Sequence, residues 1–257
     1  MEKNDMFFKK VGPGHFNKTG FDRESKRMKP TISASDVECL GTVSADNVEV
    51  VNVDVKYNDG MQTNDVTSSD KENKFDVTEK DFSDAFKQCF DIFSAKLGDY
   101  GPSWRIMRSC SVTDQIYIKA NRIRNLEMNS FNSYVGDGVL GEFQAIVNYG
   151  IVGLIQLRYG YSETPKDMAN EEAEELYKTF ARQAYEIMCK KNRDYNEAWK
   201  LMRIYSYTDF ILMKLFRVME IESHNGKTKV SEPIDSNYID IINYAIFGII
   251  KLSKKGY

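Results

Sequence analysis

The spacing of apolar side chains divides the chain into a polar first part and a strongly patterned remainder. Residues 1–77 are rich in Asp, Asn, Lys, Ser, Thr and Gly, and no apolar stripe of helical period persists there. Such a segment buries too little apolar surface to offset its ordering entropy, so we expect a poorly ordered polar tail. The alternating run at 48–55 leaves a small added hairpin as the alternative. From Thr78 onward, apolar side chains recur at the three- and four-residue spacing of amphipathic helices.

The patterned part of the chain repeats itself. When the sequence is aligned with itself at an offset of 95 residues, polar and aromatic positions match without a gap between residues 96 and 157. Matches at one constant offset over so many positions do not arise by chance, and an internal repeat of this kind strongly constrains the fold. The matched pairs include Lys96 and Lys191, Asp99 and Asp194, Tyr100 and Tyr195, Trp104 and Trp199, Thr113 and Thr208, and Gly153 and Gly248.

Each copy is predicted to contain three main helices joined by short turns. We therefore expect an all-α fold in which two tandem copies of a three-helix unit, at 78–160 and 170–255, form a pseudo-symmetric helical bundle. Ser111 and Ser206, each with an acid three residues later, are predicted N-caps of the second helix. The expected helices are 78–97, 111–127 and 139–158 in the first copy, and 171–192, 206–222 and 235–253 in the second.

Composition and charge narrow the classes of function. The net charge is -3, so the overall charge gives no reason to expect nucleic acid or an acidic membrane as a partner. The most apolar stretches, Phe143–Leu157 and Ile239–Leu252, are shorter than the roughly 20 residues that cross a bilayer, and they are expected to be buried helices of a soluble core. No secretory signal is evident and the cysteines form no C-x-x-C pair, so a cytoplasmic location with free thiols is expected.

Matched basic residues are the first candidates for a functional site. Two of them lie three residues apart on the predicted second helix of each copy and therefore share one of its faces. With a third cation near the helix start and the free N–H groups of the helix N-terminus, they form a candidate site for a nucleotide phosphate. The alternative is a solvated basic face. The candidates are Arg108, Lys119 and Arg122 in the first copy, and Arg203, Lys214 and Arg217 in the second.

One asparagine in each copy, Asn148 or Asn243, lies within the most apolar predicted helix. A buried amide without a partner costs about 1–3 kcal/mol, so each of these side chains must bind something. The second helix of the same unit is the expected source of that partner, and contact with a base or sugar is the alternative. We also expect Lys214 and Arg217 to face the third helix near Asn243 rather than bulk solvent.

Matched aromatic residues mark the turn between the first two helices. Tyr100 and Trp104 recur in the second copy as Tyr195 and Trp199. Packing in the core is the expectation for a tryptophan beside a helix, and stacking on a nucleobase is the alternative.

Acidic residues of the second copy are candidate metal ligands. Glu232 and Asp240 are eight residues apart and fall roughly on one face of a helix. Magnesium bound to a phosphate needs one or two such carboxylates, so Mg²⁺ is the expected cofactor. Ala145 stands opposite Asp240 in the first copy, so the second copy has the better acidic set.

The motifs taken together resemble a known family. The order Lys-x-x-Asp-Tyr-Gly-x-x-Trp, then Thr-Asp-x-x-x-x-Lys-x-x-Arg, then an acid and Asn-Tyr, resembles nucleotide modification associated domain, type one, a helical domain of unknown function in bacteria and phages. The resemblance covers about residues 79–253. Glu232 and Asp240 match acids of the single-copy phage members, whereas Ala145 replaces the last acid in the first copy. The resemblance implies a link to nucleotide or base modification.

Three functions remain open at this point. The first is a nucleotide-phosphate-binding protein that acts as a magnesium-dependent hydrolase, similar to the all-helical pyrophosphatases. The second is a non-catalytic nucleotide-binding or regulatory module, and the third is a helical scaffold whose repeats match for packing alone. A nucleotide or nucleoside phosphate is the expected partner in the first two, no membrane is expected, and a homo-oligomer is left open.

Overall fold

The described part of the chain is all-helical, as the repeat predicted. The computed structural model describes residues 79–129, 138–227 and 233–255, and the predicted tail at 1–77 lies outside these residues. The first repeat contains three helices and the second repeat contains their counterparts. The helices are α1 (Glu79–Tyr100), α2 (Ser109–Met128), α3 (Val139–Tyr159), α4 (Asn170–Asp194), α5 (Ile204–Ser223) and α6 (Ile234–Lys255), with short 3-10 turns at Ser103–Ile106, Pro165–Asp167 and Ala198–Leu201.

The two third helices, α3 and α6, form the centre of the bundle. They pack along each other, α2 and α5 cover them and contact one another, and α1 and α4 close the remaining sides. Residues three and four apart on the central helices are fully buried, among them Val147 and Ile151 on α3 and Ile242 and Ile246 on α6. All six helices contribute buried apolar side chains to one cluster. The two repeats therefore share a single hydrophobic core.

The matched glycines of the repeat allow α3 and α6 to approach each other. A Cβ atom on Gly153 would lie 2.5 Å from the ring of Tyr238, and one on Gly248 would lie 2.9 Å from the ring of Phe143. Each ring comes from the third helix of the other repeat, and the two rings occupy equivalent positions. The glycines therefore recur because each repeat receives an aromatic side chain from its partner repeat.

Two reciprocal hydrogen bonds join the second helices across the pseudo-two-fold axis. Thr113 donates to a carboxylate oxygen of Glu222 at 3.0 Å, and Thr208 donates to Glu127 at 2.8 Å. The four residues are two pairs of equivalent positions, so these bonds confirm the predicted pseudo-symmetry. Burial raises the pKa of both the Glu127 and the Glu222 carboxyl groups, and the threonine hydrogen bonds oppose that rise.

The start of the second helix differs from the prediction in both repeats. Arg108 and Arg203 occupy the N-cap positions, and neither makes a side-chain capping hydrogen bond. Each helix begins soon after the preceding 3-10 turn, so Ser111 and Ser206 already lie within its first turn. The predicted capping boxes are therefore wrong.

A buried arginine ties the connection between the repeats to the first repeat. Arg105 is 3% exposed, and its Nη2 lies 2.8 Å from Oδ2 of Asp167. Its Nη1 also donates to the carbonyl oxygen of Gly160 at 2.6 Å, and its own carbonyl accepts from the backbone N–H of Ser162 at 2.8 Å. These bonds fix the segment that leads from α3 to α4.

The central helix α3 is unusually apolar. Among the residues that the structure describes, it alone is long and apolar enough to cross a membrane by length and composition, with a mean hydropathy of 1.2. The structure extends it to 21 residues, which is longer than the predicted apolar stretch. Of its most apolar window, 67% is buried inside the bundle. Its composition is that of a core helix with neighbours on most sides.

Candidate functional site

In the first repeat, the two predicted phosphate-binding cations of α2 contact a buried carboxylate. Glu142 of α3 is 3% exposed, accepts a hydrogen bond from Arg122, and lies 3.3 Å from Nζ of Lys119. A buried carboxylate is stable only when cations and hydrogen bonds compensate its lost hydration. Both cations are therefore engaged by the protein itself, and their binding of phosphate stays a prediction.

In the second repeat, the corresponding lysine contacts a different acid. Nζ of Lys214 lies 3.0 Å from one carboxylate oxygen of Asp240, and Lys191 of α4 donates to the other. Lys214 thus faces the third helix as expected, with its side chain 12% exposed. Arg217 is exposed and lines a shallow groove beside Phe216, and its charge opposes the rise in pKa that burial causes at Tyr244, the neighbour of Asn243 on α6.

The remaining predicted cations, Arg108 and Arg203, are exposed at the N-termini of α2 and α5. The guanidinium carbon of Arg203 lies 5.0 Å from the ring centroid of Tyr205, a cation–π contact. Neither arginine forms an ion pair with another described residue. Arg108 and Arg203 therefore share no acidic partner with the lysines of the second helices.

The two predicted asparagines bind the first helix of their own repeat. Nδ2 of Asn148 donates to the carbonyl oxygen of Cys89 at 3.0 Å, and Nδ2 of Asn243 donates to that of Ala184 at 3.2 Å. The prediction that the second helix supplies the partner is therefore wrong. The third helix lies between the other two helices, and each asparagine is on the side that faces the first.

The side-chain oxygens of these asparagines differ between the repeats. Tyr177 of α4 donates its hydroxyl to Oδ1 of Asn148 at 2.7 Å. The equivalent residue on α1 is Phe82, which has no hydroxyl to donate. Accordingly, Oδ1 of Asn243 is buried without a hydrogen-bond partner among the described residues.

Of the two predicted metal ligands, only Asp240 is among the residues that the structure describes. Both oxygens of Asp240 contact lysines, while Glu232 lies outside the described residues. Within 79–129, 138–227 and 233–255, no group of three or more His, Cys, Asp or Glu side chains is placed to hold a metal ion. The magnesium site stays a prediction.

A cavity of about 310 Å³ opens in the first repeat between α1, the Trp104 turn and α3. Its described lining contains one charged residue, Lys96, and no Asp, Glu, His or Cys. At its rim, Tyr100 is 58% exposed and Ile106 is 54% exposed. The lining is Ile92, Phe93, Lys96, Leu97, Tyr100, Gly101, Ser103, Trp104, Ile106, Met107, Gly141, Gln144, Ala145, Asn148, Tyr149 and Val152.

The turn that carries Trp104 is held in place by a buried amide of α3. Nε2 of Gln156 donates to the carbonyl oxygen of Met107 at 2.6 Å and to that of Arg105 at 3.1 Å. In the second repeat the equivalent Lys251 donates to the carbonyl oxygen of Lys200 at 2.9 Å. One wall of the cavity is therefore formed by a turn whose backbone carbonyl groups accept hydrogen bonds from α3.

The equivalent space in the second repeat is filled by its own side chains. The ring of Phe247 stacks on Trp199 with centroids 4.3 Å apart and planes 8° apart. The residue equivalent to Phe247 in the first repeat is the much smaller Val152, which lines the cavity. In the same way, Asp240 is replaced by Ala145. Two shortened side chains open the cavity.

The sequence does not predict this cavity or the presence of Lys96 in its lining. Lys96 is a matched position of the repeat, but the sequence places the predicted phosphate site on the cations of the second helix. A signal was present in the alignment of the copies, where Ala145 stands opposite Asp240 and Val152 stands opposite Phe247. The consequence of those two changes depends on packing between α1 and α3, which the alignment does not contain.

Comparison with known proteins bears on both repeats. The family model described as nucleotide modification associated domain 1 matches residues 96–157 and again residues 191–252. Both matches begin at the cavity lysine or its counterpart and run to the third helix. Neither the curated proteins nor the solved structures that were compared include a match. The chain thus carries two tandem copies of nucleotide modification associated domain 1 and belongs to that family through both of them.

Proposed function

We propose that the first repeat binds a small anionic ligand with an aromatic ring, of the nucleotide class, in the cavity beside Trp104. The observation that carries this proposal is the contrast between the repeats: equivalent space is open in the first and filled in the second. A volume of about 310 Å³ is at the lower end of the roughly 300–1,000 Å³ of ligand sites.

The charge of the cavity supports an anionic ligand. In the second repeat, Lys191 donates to the carboxylate of Asp240. In the first repeat, Lys96 makes no ion pair with a described residue, because Ala145 stands where that acid would be. A phosphate or carboxylate beside Lys96 gains a charge-assisted hydrogen bond of about 1.5–3 kcal/mol.

The aromatic lining supports a planar ring as the other part of the ligand. Trp104, Tyr100 and Tyr149 all line the cavity. The counterpart of Trp104 carries a stacked ring, so the indole face at this position accommodates one. Stacking of a nucleobase on an aromatic side chain contributes about 1–3 kcal/mol. The family description also favours a nucleotide over other aromatic anions.

The lining favours a binding or regulatory module over a hydrolase. The described residues that line the cavity offer no carboxylate to hold magnesium and no imidazole or thiol to act as a base or nucleophile. Hydrolysis would need such groups within reach of the phosphate. We therefore propose ligand binding without turnover at this site.

Isothermal titration calorimetry with a panel of nucleosides and nucleotides tests the proposal. At least one nucleotide should bind, and Lys96→Met should weaken it tenfold or more, which corresponds to about 1.4 kcal/mol. Lys191→Met is the matched control, because the same change in the second repeat removes a lysine that the ligand does not contact. The proposal fails if no nucleotide binds, or if both lysine variants bind as the unchanged protein does.

Tryptophan fluorescence locates the ligand. The chain has two tryptophans, so Trp199→Phe leaves Trp104 as the single reporter. A stacked base should quench its emission in a saturable way, with the same Kd that calorimetry gives. Saturable binding without any change in Trp104 emission would place the ligand elsewhere.

A further inference from the structure

We infer that Phe247 and Asp240 occupy the second repeat as internal substitutes for the ring and the anionic group of a nucleoside monophosphate, the ligand class of the first repeat. This inference rests on the proposed function of the first repeat. It adds that one ligand binds per chain, that the second site is closed by its own side chains, and that one phosphate suffices for recognition.

The ring substitute is Phe247. It is 6% exposed, it stacks on Trp199, and its centroid lies 6.0 Å from that of Tyr207. Val152 occupies the equivalent position and lines the cavity over Trp104. A ligand ring in the first repeat would thus replace the contact that Phe247 makes in the second.

The anion substitute is Asp240. Its side chain is 15% exposed and lies between Lys191 and Lys214. The counterparts Ala145 and Lys96 both line the cavity, so the place of the Asp240 carboxylate corresponds to space inside it. The ligand's anionic group fits there, against Lys96.

The spacing of the two substitutes defines the shape of the ligand. Positions 240 and 247 are seven residues apart, which is two helical turns or roughly 10 Å along the axis of α6. A ligand that reproduces both contacts has its ring and its charge separated by a spacer. The sugar of a nucleotide supplies such a spacer, whereas an acid attached directly to an aromatic ring does not.

The distribution of cations limits the number of phosphates. Lys96 is the single charged side chain among the described lining residues. Lys119 and Arg122 contact Glu142, and Arg105 contacts Asp167. A second or third phosphate therefore gains no further cation of the cavity wall and extends toward solvent. Nucleoside diphosphates and triphosphates should bind no more than about threefold more tightly than the monophosphate, while the nucleoside should bind at least tenfold more weakly.

Exchanging the two residues between the repeats tests the inference. The double variant Ala145→Asp with Val152→Phe introduces into the first repeat the side chains that close the second, and it should abolish nucleotide binding. The reverse variant, Asp240→Ala with Phe247→Val, should open the second site and raise the calorimetric stoichiometry from one to two. Ala145→Asp alone should remove the preference for monophosphate over nucleoside.

The outcomes separate this inference from the proposed function. Binding of one nucleotide that persists in the double variant at 145 and 152 overturns the inference of internal substitutes. A stoichiometry of two in the unchanged protein also overturns it, although the proposed function would stand. A triphosphate that binds more than tenfold more tightly than the monophosphate overturns the ligand class. If Asp240→Ala with Phe247→Val does not fold, as circular dichroism would reveal, the variant at 145 and 152 and the phosphate series still decide.

Discussion

Replacing Phe82 by Tyr should stabilise the protein, although the change adds a polar atom to the core. Phe82 is 7% exposed and is equivalent to Tyr177, whose hydroxyl donates to Oδ1 of Asn148 at 2.7 Å. Oδ1 of Asn243 is buried without a partner among the described residues. By the equivalence of the repeats, a hydroxyl at position 82 should reach it.

The magnitude follows from the hydrogen bond that would form. A net hydrogen bond contributes about 0.5–1.5 kcal/mol, so Phe82→Tyr should raise the free energy of unfolding by that amount. Tyr177→Phe should lower it by about 1–3 kcal/mol, because it leaves a buried amide oxygen unsatisfied. In a domain of this size, each kcal/mol corresponds to a Tm change of roughly 2–4 °C.

Urea unfolding followed by circular dichroism measures both changes. The decisive control is Phe82→Tyr in an Asn243→Leu background, where no acceptor remains and the added hydroxyl should destabilise rather than stabilise. If Phe82→Tyr lowers stability equally in both backgrounds, the two repeats do not place these side chains equivalently and the reasoning is refuted.

Three further changes probe the fold. Burial raises the pKa of the Glu222 carboxyl group, so the folded protein binds this proton more tightly than the unfolded chain does. The ionised carboxylate therefore lowers the free energy of unfolding above the raised pKa, and this deficit disappears as the pH falls through it. Glu222→Gln should raise the free energy of unfolding at neutral pH and flatten its dependence on pH, and a steeper dependence would contradict this. Arg105→Met should cost about 1.5–3 kcal/mol in urea unfolding, because Arg105 is buried and donates hydrogen bonds to a carboxylate and to a carbonyl group. Lys200→Met at the equivalent position should cost less than about 1 kcal/mol, because the carboxylate that pairs with Lys200, that of Glu197, is exposed to solvent. Gly153→Ala should cost about 1–3 kcal/mol in urea unfolding, since its Cβ would lie 2.5 Å from a buried ring. Gly98→Ala is the control, because a Cβ there has nothing within 4 Å, and it should be neutral or stabilising by up to about 1 kcal/mol in the same assay.

The repeat was sufficient to predict the helical units and their symmetric arrangement. A constant offset requires equivalent environments, and the paired bonds of Thr113 and Thr208 are what such environments produce. The offset does not identify which helix faces which, and so the partner of Asn148 was assigned to the wrong neighbour. A polar residue on an apolar helix shows that a partner exists, but its direction depends on the rotation of the helix in the bundle.

The sequence reveals the matched cations of the second helices, but it reveals neither the acid that they contact nor the cavity of the first repeat. Lys119 and Arg122 recur as a pair, yet both contact Glu142, which had no matched acid at position 237 to draw attention to it. A cavity is a missing volume, and no residue pattern encodes it directly. The comparison of copies came closest, because the loss of a large side chain at Val152 is visible once its counterpart is known to be a phenylalanine.

The exchange of aromatic rings between α3 and α6 bears on the ancestry of the chain. Each repeat places a ring against the glycine of the other, so neither could complete this contact alone. An internal two-fold arrangement of this kind is what duplication and fusion of a gene for a symmetric homodimer would leave. In a homodimer, every mutation alters both subunits at once. Fusion removes that constraint, and it allowed a valine and a phenylalanine to diverge at equivalent positions within one folded unit.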